Sequence, residues 1–301
     1  MIAYHEILTK IMNDGVIKEN RTGVDTLAYP SMYFRHNMED GFPLLTTRKM
    51  PIKSIAVELE GFIQGITSKK WYQERGCKYW DKWANPQLVV KTSMEIIKNG
   101  EFAVHNNIAE ALDDLGPMGY SYQMRRFNQS YSENDEGCLT QYDQLQSVVD
   151  TLNNNPNDRR MVVSLWNPVQ LNQMALPPCT VAWNVTVIGN KLHLSWFQRS
   201  CDAVLGLPSD IASNALLLKL LSFESGIEAG TLTGVFVDCH IYKNHLDSAK
   251  LLLKRTPKDL PVFVVHWNGR EKFDIFKWTH KDFHLENYNP DPKLDMGSIA
   301  V

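Results

Sequence analysis

The stretch "TVAWNVTVIGNKLHLSWFQRS", residues 180–200, constrains the fold most. Apolar and polar side chains alternate on both sides of Gly189-Asn190, which is the period of half-buried strands, and a Gly-Asn pair between two such runs marks a tight hairpin. "RMVVSLW", "TGVFVDC" and "PVFVVH" read as further strands. Ile2, Ile7, Leu8, Ile11 and Met12 recur at helical spacing and stop at Gly15. Further helices fit residues 54–64, closing at Gly65, residues 141–152, the apolar run 211–223 after Asp210, and residues 242–253. Residues 86–115 look like an insertion carrying a helix, "TSMEIIKNG". Helices and strands are interspersed without a regular βαβ alternation, so the expected class is α+β: one domain over residues 1–301, built on a large sheet.

Several function classes drop out on composition. A formal net charge of −3 gives no electrostatic reason to expect direct nucleic-acid or membrane binding. No apolar run reaches the roughly 18 to 20 residues of a membrane span, and "MIAYHEILTK" is charged too early for a secretory signal. Cys77, Cys138, Cys179, Cys201 and Cys239 are odd in number and scattered, with no C-x-x-C pair. That pattern argues against a disulfide framework or a zinc site and for a reducing cytoplasm, with no metal expected. Most of these thiols then serve as small buried hydrophobes.

Four constellations could carry chemistry. In "ALPPCTV", two prolines hold Cys179 at the mouth of a strand. Pairing around Gly189-Asn190 brings residues 179–181 opposite residues 198–200, so Cys179 and Arg199 become neighbours, and a nearby cation lowers a thiol pKa. A structural cysteine remains the alternative. Arg21, Arg159, Arg160 and Arg199 with Ser200 lie beside turn residues and suit a phosphate dianion, or simply solvent; no glycine-rich phosphate loop is present. Glu58 and Glu60 sit in an apolar helix on different faces, so one could face the interior and handle protons while the other stays exposed. In "DCHIYKNH", His240 and Tyr242 share a face if the strand runs that far and could bind a sugar hydroxyl. A Cys/His hydrolase using Cys179 and His240 is the rival, without a local signature of that chemistry.

These motifs, in this order, resemble the thymidylate synthase family over nearly the whole chain: "NRTGVDTL", "DGFPLLTTRK", "YWDKWA", "LGPMGYSYQMRRF", "NPNDRRMVVSLWNP", "MALPPC", "FQRSCDAVLGLPSDIASNALL", "DCHIYKNH" and a terminal "SIAV". The resemblance implies a homodimer whose sheets pack back to back, and 5,10-methylenetetrahydrofolate as one-carbon donor to C5 of a pyrimidine deoxynucleotide. By motif, it implies that Cys179 adds to pyrimidine C6, a covalent route that makes C5 nucleophilic. It implies that Arg21, Arg199 and Ser200 hold the 5′-phosphate, joined by Arg159 and Arg160 from the partner subunit. Gln198 and Asp202 would contact the base, and His240 with Tyr242 the 3′-hydroxyl. Glu58 would relay protons and Tyr120 assist proton removal at C5. Trp80, Trp83, Arg48 and Gly206 would line the folate site, the folate supplying the one-carbon chemistry.

The departures matter more. Synthases read "LGLPFNIAS" where this chain reads "LGLPSDIAS", so Asp210 stands in the place of a base-reading asparagine. Thr180 replaces a histidine near the base, Gly61 a tryptophan, and "GPMGYSY" carries one extra residue ahead of Tyr120. Uracil offers a donor at N3 and an acceptor at O4; cytosine offers the reverse. A protonated carboxyl can donate to N3 of cytosine and accept from N4, whereas a carboxylate opposite uracil O4 sets two acceptors face to face, at about 1–3 kcal/mol for each mispaired buried group. Asp210 therefore reads as a cytosine selector. Before an apolar helix, Asp210 or Ser209 could equally be an N-cap, and the two roles are compatible.

The Asp and Thr exchanges, with "ELE" around Glu58, resemble the phage deoxycytidylate hydroxymethylases, in which water completes the reaction. Trp83 and the terminal "SIAV" resemble the synthases, in which hydride leaves a methyl group. The expectation is dCMP with a reduced folate, giving 5-hydroxymethyl-dCMP, with methylation as the alternative and a dUMP enzyme disfavoured by Asp210.

Overall fold

A computed structural model describes residues 1–83, 119–128, 142–266 and 272–294 of the chain. The insertion at 86–115, Cys138 and the terminal "SIAV" lie outside the described residues. The hairpin forms as its alternation requires. Strands β4 (Thr180–Ile188) and β5 (Lys191–Asp202) pair antiparallel, with Ile188 opposite Lys191. Gly189 and Asn190 both take φ 61°, the left-handed pair of a two-residue turn whose twist matches that of the strands. At the open end a bulge at Val181 shifts the register, so Thr180 lies opposite Gln198.

The other strands of the large sheet are β1 (Val16–Lys18), β2 (Thr26–Asn37), β3 (Val162–Ser164) and β6 (Glu228–Tyr242), in the order β1-β2-β6-β5-β4-β3. Only β5 and β6 pair in parallel, so the six-stranded sheet is mixed. The strand expected at "PVFVVH" forms as β7 (Val262–Val265) but pairs with β8 (Phe283–Glu286) in a separate ribbon.

Helices cover one face of the sheet. Helix α1 (Ile2–Asp14) buries Tyr4, Ile7, Leu8 and Ile11 while Ile2 stays exposed. Helix α2 (Ile52–Gln64) stops at Gly65, whose φ of 71° an L side chain disfavours. Two short helices follow, α3 (Lys69–Glu74) and α4 (Tyr120–Arg125). Helix α5 (Gln144–Asn154) begins where the Asp143 carboxylate accepts the Gln146 amide at 2.9 Å, three residues later than the periodicity suggested.

Helix α6 (Gly206–Ser225) is the central one. Its buried apolar residues, from Leu207 to Leu221, lie on more than one face and pack against β5, β6 and α2. It starts four residues before Asp210, which corrects the capping expectation for Asp210 and Ser209. Pro208 is tolerated because the first turn has no intrahelical use for its missing N–H. Asp202 instead ties down the entry, its Oδ1 accepting from the amides of Val204 (2.9 Å) and Leu205 (3.1 Å). Near the C-terminus, β6 runs through Tyr242 and a 3₁₀ turn follows, so α7 (Leu246–Lys254) begins later than expected. Among the described residues no helix is long and apolar enough to cross a membrane.

Gly61 has a steric reason. A Cβ there would sit 2.3 Å from the Tyr72 hydroxyl oxygen, and Tyr72 is fully buried with its hydroxyl donating to the Ile66 carbonyl at 2.9 Å. A tryptophan at this position has no room beside that ring. Gly61→Ala is expected to destabilise the fold by about 1–3 kcal/mol through overpacking, read by urea unfolding; a change below about 0.5 kcal/mol would contradict this packing.

Candidate functional site

The elements converge on a cavity of about 1860 Å³, well above the roughly 300–1,000 Å³ of a site for one small ligand. The mouth of β4 contributes Cys179 and Thr180, and the end of β5 Gln198, Arg199, Ser200 and Asp202. Glu58 enters from α2, Tyr120 from the start of α4, Asp210 and Gly206 from the first turns of α6, and His240 with Tyr242 from the end of β6. Arg21, Arg48, Trp80 and Trp83 complete the wall. Every single-chain site residue expected from sequence therefore lines one cavity. Arg159 and Arg160 do not: both are exposed, and the nearest carboxylate to Arg160 is Asp158, at 3.8 Å.

Cys179 and Arg199 are neighbours, as the hairpin register implied. The Arg199 amide donates to the Cys179 carbonyl at 2.9 Å. Its guanidinium lies over the Trp166 ring and donates from Nε to the Pro178 carbonyl (2.8 Å) and from Nη2 to the Pro177 carbonyl (2.9 Å). Arg199 thus clamps the loop that carries the thiol, and three of its five N–H groups remain for an anion. Tyr120 approaches from the other side: its hydroxyl oxygen accepts the Cys179 amide at 2.6 Å, and its ring stacks on Phe62. The extra residue before it has not displaced it. Burial pushes the Cys179 thiol up, which outweighs the lowering by Arg199; Asp210 adds to the rise, and Tyr120 and Arg21 oppose it. The expected low thiol pKa is thus corrected.

Neither glutamate of "ELE" is exposed. Glu60 is buried and accepts from the His280 amide (2.8 Å), with the His280 ring nitrogen at 2.7 Å, outside the cavity wall. Glu58 faces the cavity. Burial there, and then the nearby Asp210, push its carboxyl up to about 8, with Trp80 pulling the other way. Asp210 is pushed up to about 6 by burial; the hydrogen bond from Gln198 opposes the rise and Asp202 adds to it. Gln198 is 3% exposed, and its Nε2 donates to Asp210 Oδ2 at 2.8 Å.

On β6, His240 Nδ1 faces two acceptors, the Asp238 carboxylate and carbonyl, each at 3.2 Å. Nδ1 therefore carries the proton, and Nε2 of a neutral ring is left to accept from a ligand hydroxyl. Among the described residues no hydrogen bond joins His240 to Cys179, so the Cys/His hydrolase reading gains no support. Cys77, Cys201 and Cys239 are buried free thiols, as small hydrophobes would be. Sequence reasoning missed Tyr79, beside Trp80 in "KYWDKW", and Trp166, the ring under Arg199; both line the cavity.

The wall also suits a flat heterocycle with polar edges. Arg48 Nε, the Tyr79 hydroxyl and Trp80 Nε1 are buried without a well-formed partner among the described residues, although buried polar groups are normally paired. All three belong to cavity-lining side chains. Gly206 leaves room as well: an added Cβ would make only ordinary contact, 3.7 Å from Asp202 and Asp210. Among the described residues no cluster of three or more His, Cys, Asp or Glu side chains could hold a metal ion.

A clamped thiol, carboxyls held near neutrality and a guanidinium with free donors, in a cavity large enough for two ligands, define an enzyme equipped for covalent group transfer. The thymidylate synthase family model matches residues 2–301, and the chain belongs to that family. Membership implies one-carbon transfer from methylenetetrahydrofolate to a pyrimidine nucleotide.

The two raised carboxyls make stability depend on pH. Between the ordinary carboxylate range and their folded values, the native state holds protons that the unfolded state has released. Stability therefore falls as pH rises towards about 6 for Asp210 and about 8 for Glu58, by up to ~1.4 kcal/mol per pH unit for each group. Urea unfolding at pH 5 and pH 8 should show Glu58→Gln losing less stability over this range than the parent; parallel curves would show that Glu58 is not raised.

Proposed function

We propose that this enzyme transfers a one-carbon unit from 5,10-methylenetetrahydrofolate to C5 of dCMP, giving 5-hydroxymethyl-dCMP. The observation that carries the reading is Asp210: it lies inside α6 rather than at its cap, its carboxyl bound to Gln198 in the same cavity as Cys179. A carboxyl raised to about 6 takes up a proton readily near neutral pH. Protonated, it donates to N3 of cytosine and accepts from the N4 amino group; opposite uracil, its donor and acceptor meet their own kind.

The remaining roles follow from position. Arg21, Ser200 and the free donors of Arg199 hold the 5′-phosphate dianion. His240 Nε2 and the Tyr242 hydroxyl take the 3′-hydroxyl, and Asp202 keeps one carboxyl oxygen for the base after its other oxygen has tied down α6. The Cys179 sulfur adds to C6, placing electron density on C5, and Arg199 and Arg21 stabilise its thiolate. The Tyr120 hydroxyl, beside Cys179, assists removal of the C5 proton. Bound folate supplies the one-carbon unit, with Trp80, Trp83, Arg48 and Gly206 forming its wall.

Once the carbon has been transferred and tetrahydrofolate released, water adds to the C5 methylene and Glu58 in its ionised form takes the water's proton. Loss of the Cys179 thiolate from C6 then restores the C5–C6 double bond. The polar wall of Glu58, Thr180, Ser209 and the Tyr79 hydroxyl supports water delivery to this point. Trp83 on the same wall favours the alternative, in which hydride gives 5-methyl-dCMP and dihydrofolate.

We read the chain as one catalytic domain, working in the cytoplasm as a homodimer. Tyr33, Val235 and Phe197 form an exposed row across β2, β6 and β5, with Val237 beside them, an apolar face suited to a second sheet. Arg159 and Arg160, outside their own cavity, would complete the partner's phosphate site.

Incubation with dCMP or dUMP plus methylenetetrahydrofolate, followed by mass measurement of the nucleotide, tests the reading. The expected product is dCMP heavier by a hydroxymethyl group, with no rise in dihydrofolate absorbance; dUMP turned over in preference would sink the cytosine assignment. Asp210→Asn should move preference towards dUMP by tenfold or more, on the order of one reversed hydrogen-bond pair. Cys179→Ser should abolish turnover while leaving the melting temperature nearly unchanged.

A further inference from the structure

We propose that Trp196, outside the cavity, is a positioning residue for base selection: its indole N–H fixes the Gln198 amide, and through it the polarity of the Asp210 oxygen that faces the base. This rests on the reading of Asp210 above. Trp196 and Gln198 are two residues apart on β5 and point inward together, at 1% and 3% exposure. Trp196 Nε1 donates to Gln198 Oε1 at 3.2 Å, and Gln198 Nε2 donates to Asp210 Oδ2 at 2.8 Å.

An amide by itself can face either way, since its two ends have the same shape. An indole nitrogen can only donate. Turning the amide over would set its NH₂ against the indole N–H, so the oxygen must face Trp196 and the NH₂ must face Asp210. The indole itself cannot swing away. Gly234 lies directly opposite Trp196 on β6, and a Cβ there would come within 2.7 Å of Trp196 Cη2 and 2.5 Å of Phe236 Cζ. Phe34 and Phe236 flank the ring, with centroids at 6.1 and 5.5 Å.

The consequence reaches the base. Because Oδ2 accepts from Gln198, a proton on the carboxyl resides on Oδ1, which then donates to N3 of cytosine. Oδ2 has a second lone pair for the N4 amino group. With the amide reversed, Oδ2 would carry the proton and donate to Gln198 Oε1. Oδ1 would then be a bare acceptor, matched to the N3–H of uracil. The same aspartate thus reads either base, and the indole behind Gln198 decides which.

The test is Trp196→Phe, which keeps a ring and removes the N–H, run beside Asp210→Asn and the parent. The expected result is a fall of about tenfold or more in the dCMP-over-dUMP ratio of kcat/KM, the size of one misdirected hydrogen bond. A second readout is the ¹³C carboxyl titration of Asp210 in the ligand-free protein. It should move to higher pH in Trp196→Phe, because a fixed donor is lost while Glu58, Asp202, Tyr120, Cys179 and Cys201, the other ionisable groups near Asp210, are unaltered. If Trp196→Phe does not fold by circular dichroism, Gln198→Glu reads the same point: it keeps an acceptor for the indole and sets an oxygen against Asp210, with the same expected loss of dCMP preference. A folded Trp196→Phe with unchanged ratio and titration, beside an Asp210→Asn that shifts preference, overturns the indole's role alone. An Asp210→Asn without effect on base preference overturns the Asp210 reading and this proposal together.

Discussion

The bulge at Val181 governs where the reactive thiol points. Without it, the register that pairs Ile188 with Lys191 would continue to the end of the ladder and set Cys179 beside Ser200. With it, Thr180 lies opposite Gln198 and the Arg199 amide reaches the Cys179 carbonyl. A one-residue slip in a strand exchanges its two faces, so this extra residue decides which side chains enter the cavity. Arg199 then reinforces the geometry by binding the carbonyls of both preceding prolines. Those bonds hold the guanidinium to the loop that carries the thiol. The thiol itself is raised by burial, which favours its protonated form.

The same burial sets the proton chemistry of the opposite wall. Glu58 and Asp210 come from different helices and meet at one cavity, where neither forms an ion pair with a cation among the described residues. Burial raises both carboxyls, with Asp210 adding to the rise at Glu58 and Asp202 to that at Asp210, against the amide of Gln198 and the indole of Trp80. Asp210 sits just past the first turn of α6, where the helix dipole has faded and cannot restore the charge. Two carboxyls that would be ionised at a surface are thereby kept near the neutral point, as the proposed proton transfer and base recognition both demand.

Much of this was legible in the sequence where chemistry and period coincide. The alternation around Gly189-Asn190 specified the hairpin and, to within one residue, which groups meet at its open end; the bulge at Val181 that sets Arg199 against Cys179 was not legible. The start of α6 was not legible. Apolar periodicity begins at Ile211, whereas the helix begins at Gly206, and the signal for that start lies in Asp202, on the strand side of the turn. The burial of Glu60 was hidden for a similar reason: its partner His280 is 220 residues away in sequence. The orientation of Gln198 is a further case, since it depends on an indole whose fixed position depends on a missing side chain at Gly234, on another strand.

That dependence bears on how one scaffold can serve two bases. On the proposed assignment, the groups that would bind phosphate, sugar and carbon donor do not distinguish cytosine from uracil, and selection would fall on a few polar atoms whose partners are fixed from behind. A buried carboxyl is well suited to this task, because the same group is donor or acceptor according to where its proton resides, and that is set by whatever already occupies its other oxygen. Changing the residue that touches the base is therefore only half of a change in specificity. The other half lies in the wall that tells the residue which polarity to present, and such a wall tolerates few substitutions because it is also core.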